Sequence, residues 1–128
     1  NEFEETPYLE DTLIKGDIRC NVDGYNGNNI IEIKTTSKVK KKVKSYKYYL
    51  VQLLFYLMEY DKKQGILFVY ERPKDFDCEL DINRLQQFNI NIDDYTDLID
   101  EINQAIEKFR VDKKRLKENC LLGEEDFK

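Results

Sequence analysis

Residues 22–36 read Val-Asp-Gly-Tyr-Asn-Gly-Asn-Asn-Ile-Ile-Glu-Ile-Lys-Thr-Thr. Asn26-Gly27 between two apolar runs is a strong hairpin signal, so residues 29–36 are expected to form a strand that returns alongside the one before it. Side chains alternate faces along a strand. Glu32 and Lys34 therefore share one side of residues 29–36, and Ile31 and Ile33 take the other. Asp23 stands nine residues before Glu32, placed to meet the acid–lysine pair across the hairpin.

Outward from this stretch, residues 13–22 (LIKGDIRCNV) alternate, carry β-branched residues and read as the preceding strand. Residues 1–12 are acidic and irregular. Residues 37–47 hold Lys38, Lys40, Lys41, Lys42, Lys44 and Lys47, a basic linker. Residues 47–62 are apolar and aromatic without Gly or Pro and predict a largely buried helix, with Gly65 ending the connection that follows it. Residues 66–71 (ILFVYE) form a continuous apolar run of central-strand type, stopped by Arg72-Pro73. Two further strands are expected over 77–82 and 86–92. Asp93 or Asp94 is expected to cap a last helix, with Tyr95, Leu98, Ile99, Ile102, Ile106 and Phe109 along one face and a charged tail over 112–128. The order is strand, strand, helix, strand, strand, strand, helix. It predicts one α/β (α+β) domain over residues 1–128, with a mixed central sheet of about five strands flanked by helices. The start at Asn1 without Met fits the core of a larger protein lacking an upstream helical segment.

Composition narrows the chemistry. The 128 residues carry a net charge of -5, with 37% charged and 41% hydrophobic residues. A polyanion would have to be met by a local basic patch rather than by average charge. Nothing resembles a signal peptide or a membrane span, so a cytoplasmic protein with no membrane partner is expected, or one of the host-cell interior or nucleoid if phage-encoded. Cys20, Cys78 and Cys120 are widely spaced and read as reduced thiols. The chain has no histidine, which excludes imidazole bases and His-ligated zinc. Catalysis would fall to carboxylates, lysine and metal-bound water.

Phosphodiester hydrolysis matches that inventory. Mg²⁺ or Mn²⁺ held by hard oxygens activates water and neutralises phosphate charge. Asp23 and Glu32 offer two carboxylates, and the backbone carbonyl of Ile33 a third oxygen. Lys34 is a point charge suited to orienting the water or stabilising the phosphorane-like charge. The lysines of the linker, Arg72, and the rings of Tyr46, Tyr48 and Tyr49 could hold phosphates and bases. Each feature has a plainer alternative. Glu-x-Lys on a strand is most often a surface ion pair, a lysine run is most often a solvated loop, and Gln52 and Tyr56 can be ordinary helix packing one turn apart. Asp17, six residues before Asp23, reads as a surface charge.

The order Val22-Asp23-Gly24, Glu32-Ile33-Lys34-Thr35, Gln52-Leu53-Leu54-Phe55-Tyr56 resembles the PD-(D/E)xK nuclease superfamily. The likeness is greatest to its RecB-like and lambda-exonuclease-like (YqaJ-type viral recombinase) branch, where Gln52 and Tyr56 match the QxxxY pattern. It covers about residues 13–73. The resemblance implies a restriction-endonuclease-like core. It makes Asp23 and Glu32 metal ligands, Lys34 the catalytic lysine, Gln52 a support for the active site or a DNA phosphate, and Tyr56 a support for Gln52. It further implies a Mg²⁺- or Mn²⁺-dependent deoxyribonuclease, an exonuclease of phage-type recombination or DNA repair, with no iron–sulfur cluster. The implied partners are DNA and a recombination protein or further copies of the chain. Family members place another acid or His on a helix before the first strand. No such helix is evident here, where Glu4, Glu5 and Glu10 are the acids available. Two alternatives stay open: a structure-specific or restriction-like endonuclease, and a catalytically degenerate nucleic-acid-binding or assembly module.

Overall fold

The computed structural model describes residues 7–74 and 80–123, with side chains as far as residue 119. Two compact units divide at Tyr95/Thr96. The first is a mixed five-stranded sheet in the order β1-β2-β3-β4-β5 with a helix on it, so the α+β class expected from the sequence holds. Its strands are β1 (Leu9–Lys15), β2 (Ile18–Tyr25), β3 (Asn29–Thr36), β4 (Gln64–Glu71) and β5 (Leu85–Asn91), and helix α1 (Lys47–Glu59) joins β3 to β4. The second unit is helix α2 (Thr96–Gly123).

The predicted strand over 13–22 is two strands. Lys15 pairs with Ile18, so Gly16-Asp17 is a two-residue hairpin turn, and Gly16 takes the left-handed φ of 63° that glycine tolerates. The second hairpin turns at Asn26-Gly27-Asn28 as expected. Asn26 Oδ1 accepts the N–H groups of Asn28 and Asn29, and Gly27 has φ 93°. β3 and β4 then run parallel over eight pairs, from Asn29↔Gln64 to Thr36↔Glu71. Only a crossover allows that pairing, and α1 provides it.

α1 buries Leu50, Leu53, Leu54 and Leu57, the i, i+3, i+4, i+7 stripe of a core-facing helix. Beneath it lie Cys20 and Val22 of β2, Ile30 of β3, Leu67 and Val69 of β4 and Ile90 of β5. Gly65 does not end the connection after the helix; it lies inside β4 where α1 comes down. A Cβ there would stand 2.9 Å from the Ile30 carbonyl oxygen and 3.0 Å from Leu53 Cδ1. The stop signal is Asp61, with φ 55°. Asp61 N–H donates to the Met58 carbonyl and Lys62 N–H to the Leu57 carbonyl, the paired bonds of a Schellman cap.

Three other expectations change. Of the strand predicted over 77–82, residues 77–79 lie outside the described residues, and Ile82–Arg84 form a 3-10 turn capped by the Asp81 side chain. Asp93 and Asp94 fall within another 3-10 turn, Ile92–Tyr95, and α2 begins after it at Thr96. The charged segment from 112 is helical as far as Gly123. Within α2, Asp97 in the first turn complements the helix dipole. Leu98, Ile99, Ile102 and Ile106 recur at helical spacing, whereas Phe109 and Leu116 are exposed. Among the described residues, no helix is long and apolar enough to cross a membrane.

Candidate active site

A β-bulge positions the first acid. Asp11 pairs with Val22 but Leu9 pairs with Tyr25, so Glu10 alone faces both Asp23 and Gly24. Such an insertion bends the strand and re-aims a side chain. The ladder between β2 and β3 closes after two pairs, Gly24↔Ile31 and Tyr25↔Ile30. Asp23 and Glu32 come next in register, and their carboxylates stand in for the missing ladder bonds. Asp23 N–H donates to Glu32 Oε1 at 3.2 Å, and Ile33 N–H donates to Asp23 Oδ2 at 2.8 Å. The strands part at the two acids.

β3 also inverts the ordinary pattern of a strand. Glu32 lies on the face covered by α1 and is 2% exposed, whereas Ile33 on the other face is 55% exposed. Burial is the main force pushing the Glu32 carboxyl up to about 7, and the nearby charge of Asp23 adds to it. Lys34 pulls the other way from a distance, with Nζ 3.8 Å from Glu32 Oε2. The Lys34 ammonium sits 5.9 Å from the centroid of the Tyr49 ring, near enough for a cation–π contact.

α1 closes the site from above. Gln52 Nε2 donates to the Tyr56 hydroxyl at 2.9 Å, a pair one helical turn apart. Burial raises the Tyr56 pKa, and the charges of Glu32 and Asp23 add to the effect while the Gln52 bond opposes it. Asp23, Glu32, Lys34, Gln52 and Tyr56 are thus gathered where β2, β3 and α1 meet. Of the further acids named from the sequence, Glu4 and Glu5 lie outside the described residues, and Glu10 is an exposed residue of β1 opposite the bulge. Among the described residues, no three Asp, Glu, His or Cys side chains cluster as a metal site. Cys20 is a buried free thiol.

The oxygens that could hold a divalent cation are therefore the Asp23 and Glu32 carboxylates and the Ile33 carbonyl. Their chemistry fits one. Two carboxylates lie side by side, one of them almost fully buried, with a single lysine, 3.8 Å from the buried one, to offset both. A cation between them would remove the repulsion that raises Glu32.

The basic residues are sorted by the structure. Lys38, Lys41, Lys42, Lys44, Lys47 and Arg72 are exposed. Arg72 N–H donates to the Thr36 carbonyl at 2.8 Å, which sets it beside Lys38 at the C-terminal ends of β3 and β4. Lys40 is exposed too, but its Nζ donates to the Ser45 carbonyl at 3.1 Å. Tyr46 is a correction. It is 5% exposed, because its hydroxyl accepts from Lys40 N–H at 2.6 Å and donates to Gln86 Oε1 at 2.7 Å. Its ring stacks on Tyr49 at 5.7 Å. Tyr46 anchors the linker and offers no face to a ligand. The aromatic residue that does is Tyr48, 90% exposed. The adjacency of Tyr46, Tyr48 and Tyr49 flagged all three, but only burial separates them.

No protein-family model matches the chain, and no curated protein matches it. Among solved structures it is similar to an alkaline exonuclease from Laribacter hongkongensis, at 14% identity and a TM-score of 0.49, covering 89% of this chain and 63% of that one. It is also similar to SSO0001, at 19% identity and a TM-score of 0.43, covering 80% of this chain and 50% of that one. The chain spans between half and two thirds of the length of these structures.

Proposed function

We propose that this chain is a Mg²⁺- or Mn²⁺-dependent nuclease that hydrolyses phosphodiester bonds in DNA. The observation that carries the reading is Glu32. A carboxylate so nearly buried, beside a second carboxylate and a lysine, is a costly arrangement for a strand whose opposite face leaves an isoleucine in water. In this reading Asp23, Glu32 and the Ile33 carbonyl hold the metal ion, which supplies an activated water and offsets charge on the scissile phosphate. Lys34 adds a positive charge at the phosphate and orients the attacking water. Tyr49 keeps the Lys34 ammonium in place. Gln52, whose amide is bonded to Tyr56, would help to hold the active site or a DNA phosphate. The exposed lysines of the linker, with Arg72, would hold the flanking phosphates in a contact weakened by salt. The D…ExK…QxxxY order, with its resemblance to RecB-like and lambda-exonuclease-like enzymes, supports an exonuclease of recombination or repair.

The test is cleavage of linear double- and single-stranded DNA with Mg²⁺ or Mn²⁺, comparing the wild type with Lys34→Ala and Asp23→Ala. Loss of cleavage in both is expected; activity that survives both removes the reading. Closed circular DNA separates an exonuclease from an endonuclease, because only the latter cuts it. One observation favours a second reading, a nucleic-acid-binding module without turnover: each carboxylate already has a structural task, accepting a backbone N–H across the parted strands. That reading predicts salt-sensitive DNA binding with no metal-dependent cleavage.

A further inference from the structure

Three tyrosines meet the start of α1, and they have three different fates. Tyr46 is buried as the anchor of the linker. Tyr49 lies over Lys34, and its hydroxyl donates to the Thr35 carbonyl at 3.4 Å. Tyr48, in the first turn of α1, is 90% exposed and has no hydrogen bond or ring contact among the described residues. A tyrosine standing clear of the surface leaves one of the largest apolar faces of any side chain in water. It gives the helix nothing in return, since aromatic residues are only middling helix formers.

Its surroundings are cationic. Lys44 and Lys47 precede it by four residues and by one and are exposed, and α1 has no acidic residue in its first turn. A lysine in that turn opposes the helix dipole, so Lys47 is placed against the interest of the helix itself. Lys40, Ser45, Tyr46, Lys47, Tyr48 and Tyr49 line a hollow of about 170 Å³. An aromatic face beside ammonium groups is the combination that holds single-stranded nucleic acid: the ring stacks a base and the lysines meet the phosphates on either side.

We propose that Tyr48 is a stacking platform for an unpaired nucleobase, with Lys44 and Lys47 on the neighbouring phosphates, so that the site prefers single-stranded nucleic acid. This deepens the nucleic-acid reading above and rests on it. The preference follows from geometry. In a duplex the faces of the bases are covered by their neighbours and only edges are offered in the grooves. A free ring can stack only on a base that has left the duplex or never belonged to one. Tyr49, the next residue in α1, is the one whose ring meets Lys34, which ties the start of the helix to the candidate active site.

Binding of the whole chain to a labelled oligo-dT and to a blunt-ended duplex, followed by fluorescence anisotropy in EDTA, tests the proposal. Tyr48→Ala is expected to weaken oligo-dT binding roughly tenfold, as loss of one stacked base does. Duplex affinity should change by less than about twofold on the same scale. Tyr48→Phe keeps the ring and should restore oligo-dT binding. Because the side chain is exposed, each variant should melt with the wild type, which separates lost stacking from lost folding. Three outcomes overturn the proposal: a wild type that does not bind oligo-dT, Tyr48→Ala binding it as the wild type does, or equal losses on both probes. Tyr48-dependent binding by a protein that cleaves no DNA with Mg²⁺ or Mn²⁺ would remove the nuclease reading and leave this one. Cleavage by a protein whose oligo-dT binding ignores Tyr48 would do the reverse.

Discussion

Tyr56 and Tyr60 stand one turn apart on the same side of α1, each above a carboxylate of the sheet, yet the two corners are built to opposite rules. At the Tyr60 corner each acid is bonded across to a partner of its own. Tyr60 donates to Asp11 Oδ2 at 2.5 Å, and its ring meets Tyr25 edge-on at 4.8 Å. Glu59 meets Lys15 at 3.7 Å. Burial and the Asp11 bond keep the Tyr60 hydroxyl protonated. At the Tyr56 corner two carboxylates share one space, the deeper one is raised to about 7, and a single lysine pairs with it at 3.8 Å. Both corners hold two acids, one lysine and a tyrosine; only the Tyr56 corner sets its acids side by side and buries one of them. Adjacent carboxylates with one of them buried are a common mark of a functional site.

The largest expected effect separates the corners by activity. Lys34→Ala or Asp23→Ala should lower metal-dependent DNA cleavage by at least about a hundredfold, the usual scale for removing a charged group at the reacting atoms. Tyr60→Phe should leave the rate within about twofold, well below that scale. Initial rates on linear DNA measure both. Equal losses at the two corners would erase the distinction.

The second effect is on stability and carries a sign. Glu32 has a native pKa of about 7 against an ordinary 4.5, so the folded chain binds its proton more tightly than the unfolded chain does. Below the ordinary value both states are protonated and Glu32 costs nothing. As pH rises through 7 the native state loses its proton against burial and Asp23, and the full cost, roughly 3 kcal/mol, is present above that. Metal-free protein should therefore lose stability between about pH 4.5 and 8 on this account. Glu32→Gln should flatten the profile and be the more stable form at pH 8. Mn²⁺ should raise the melting temperature of the wild type at that pH and leave Glu32→Gln unmoved. Urea titrations at several pH values provide the measurement; a wild-type profile as flat as that of Glu32→Gln would contradict it.

How the two corners could be read beforehand differs in the same way. The Tyr56 corner rests on short-range spacings: two residues along a strand for Glu32 and Lys34, one helical turn for Gln52 and Tyr56, and an Asn-Gly turn that brings Asp23 back. These periods are fixed by backbone geometry and are visible in a single sequence. The Tyr60 corner joins Asp11 to a residue 49 positions away, and it needs β1, which was hidden because Leu13 to Val22 alternate as if continuous. Gly16-Asp17 is itself a two-residue turn signal, and the alternation on either side of it masks the turn. The bulge at Asp23-Gly24 and the burial of Tyr46 have no local signature at all. The first is a register event between strands, and the second depends on Gln86 of β5 reaching a loop 40 residues earlier.

A smaller prediction concerns the seam that both corners share. α1 approaches the sheet at Gly65, where a methyl group would lie 2.9 Å from a backbone carbonyl that cannot move aside. Gly65→Ala should cost about 1–3 kcal/mol, the range for overpacking a tight contact. Because it lifts the helix, it should weaken both corners together. A melting temperature unchanged from the wild type would mean that α1 is free to shift on the sheet.

The smallest effect is the sharpest check of the contrast. Tyr60→Phe removes the donor to Asp11, a half-buried carboxylate that water can still reach, so the loss should be near 1 kcal/mol. In a double-mutant cycle with Asp11→Asn, most of that should appear as coupling between the two residues. In a cycle with Lys34→Ala the coupling should fall within the few tenths of a kcal/mol expected of independent sites. If Tyr60 instead couples to Lys34 as strongly as to Asp11, the two corners form one electrostatic network through α1. The Tyr60 corner would then be holding the Tyr56 corner in place.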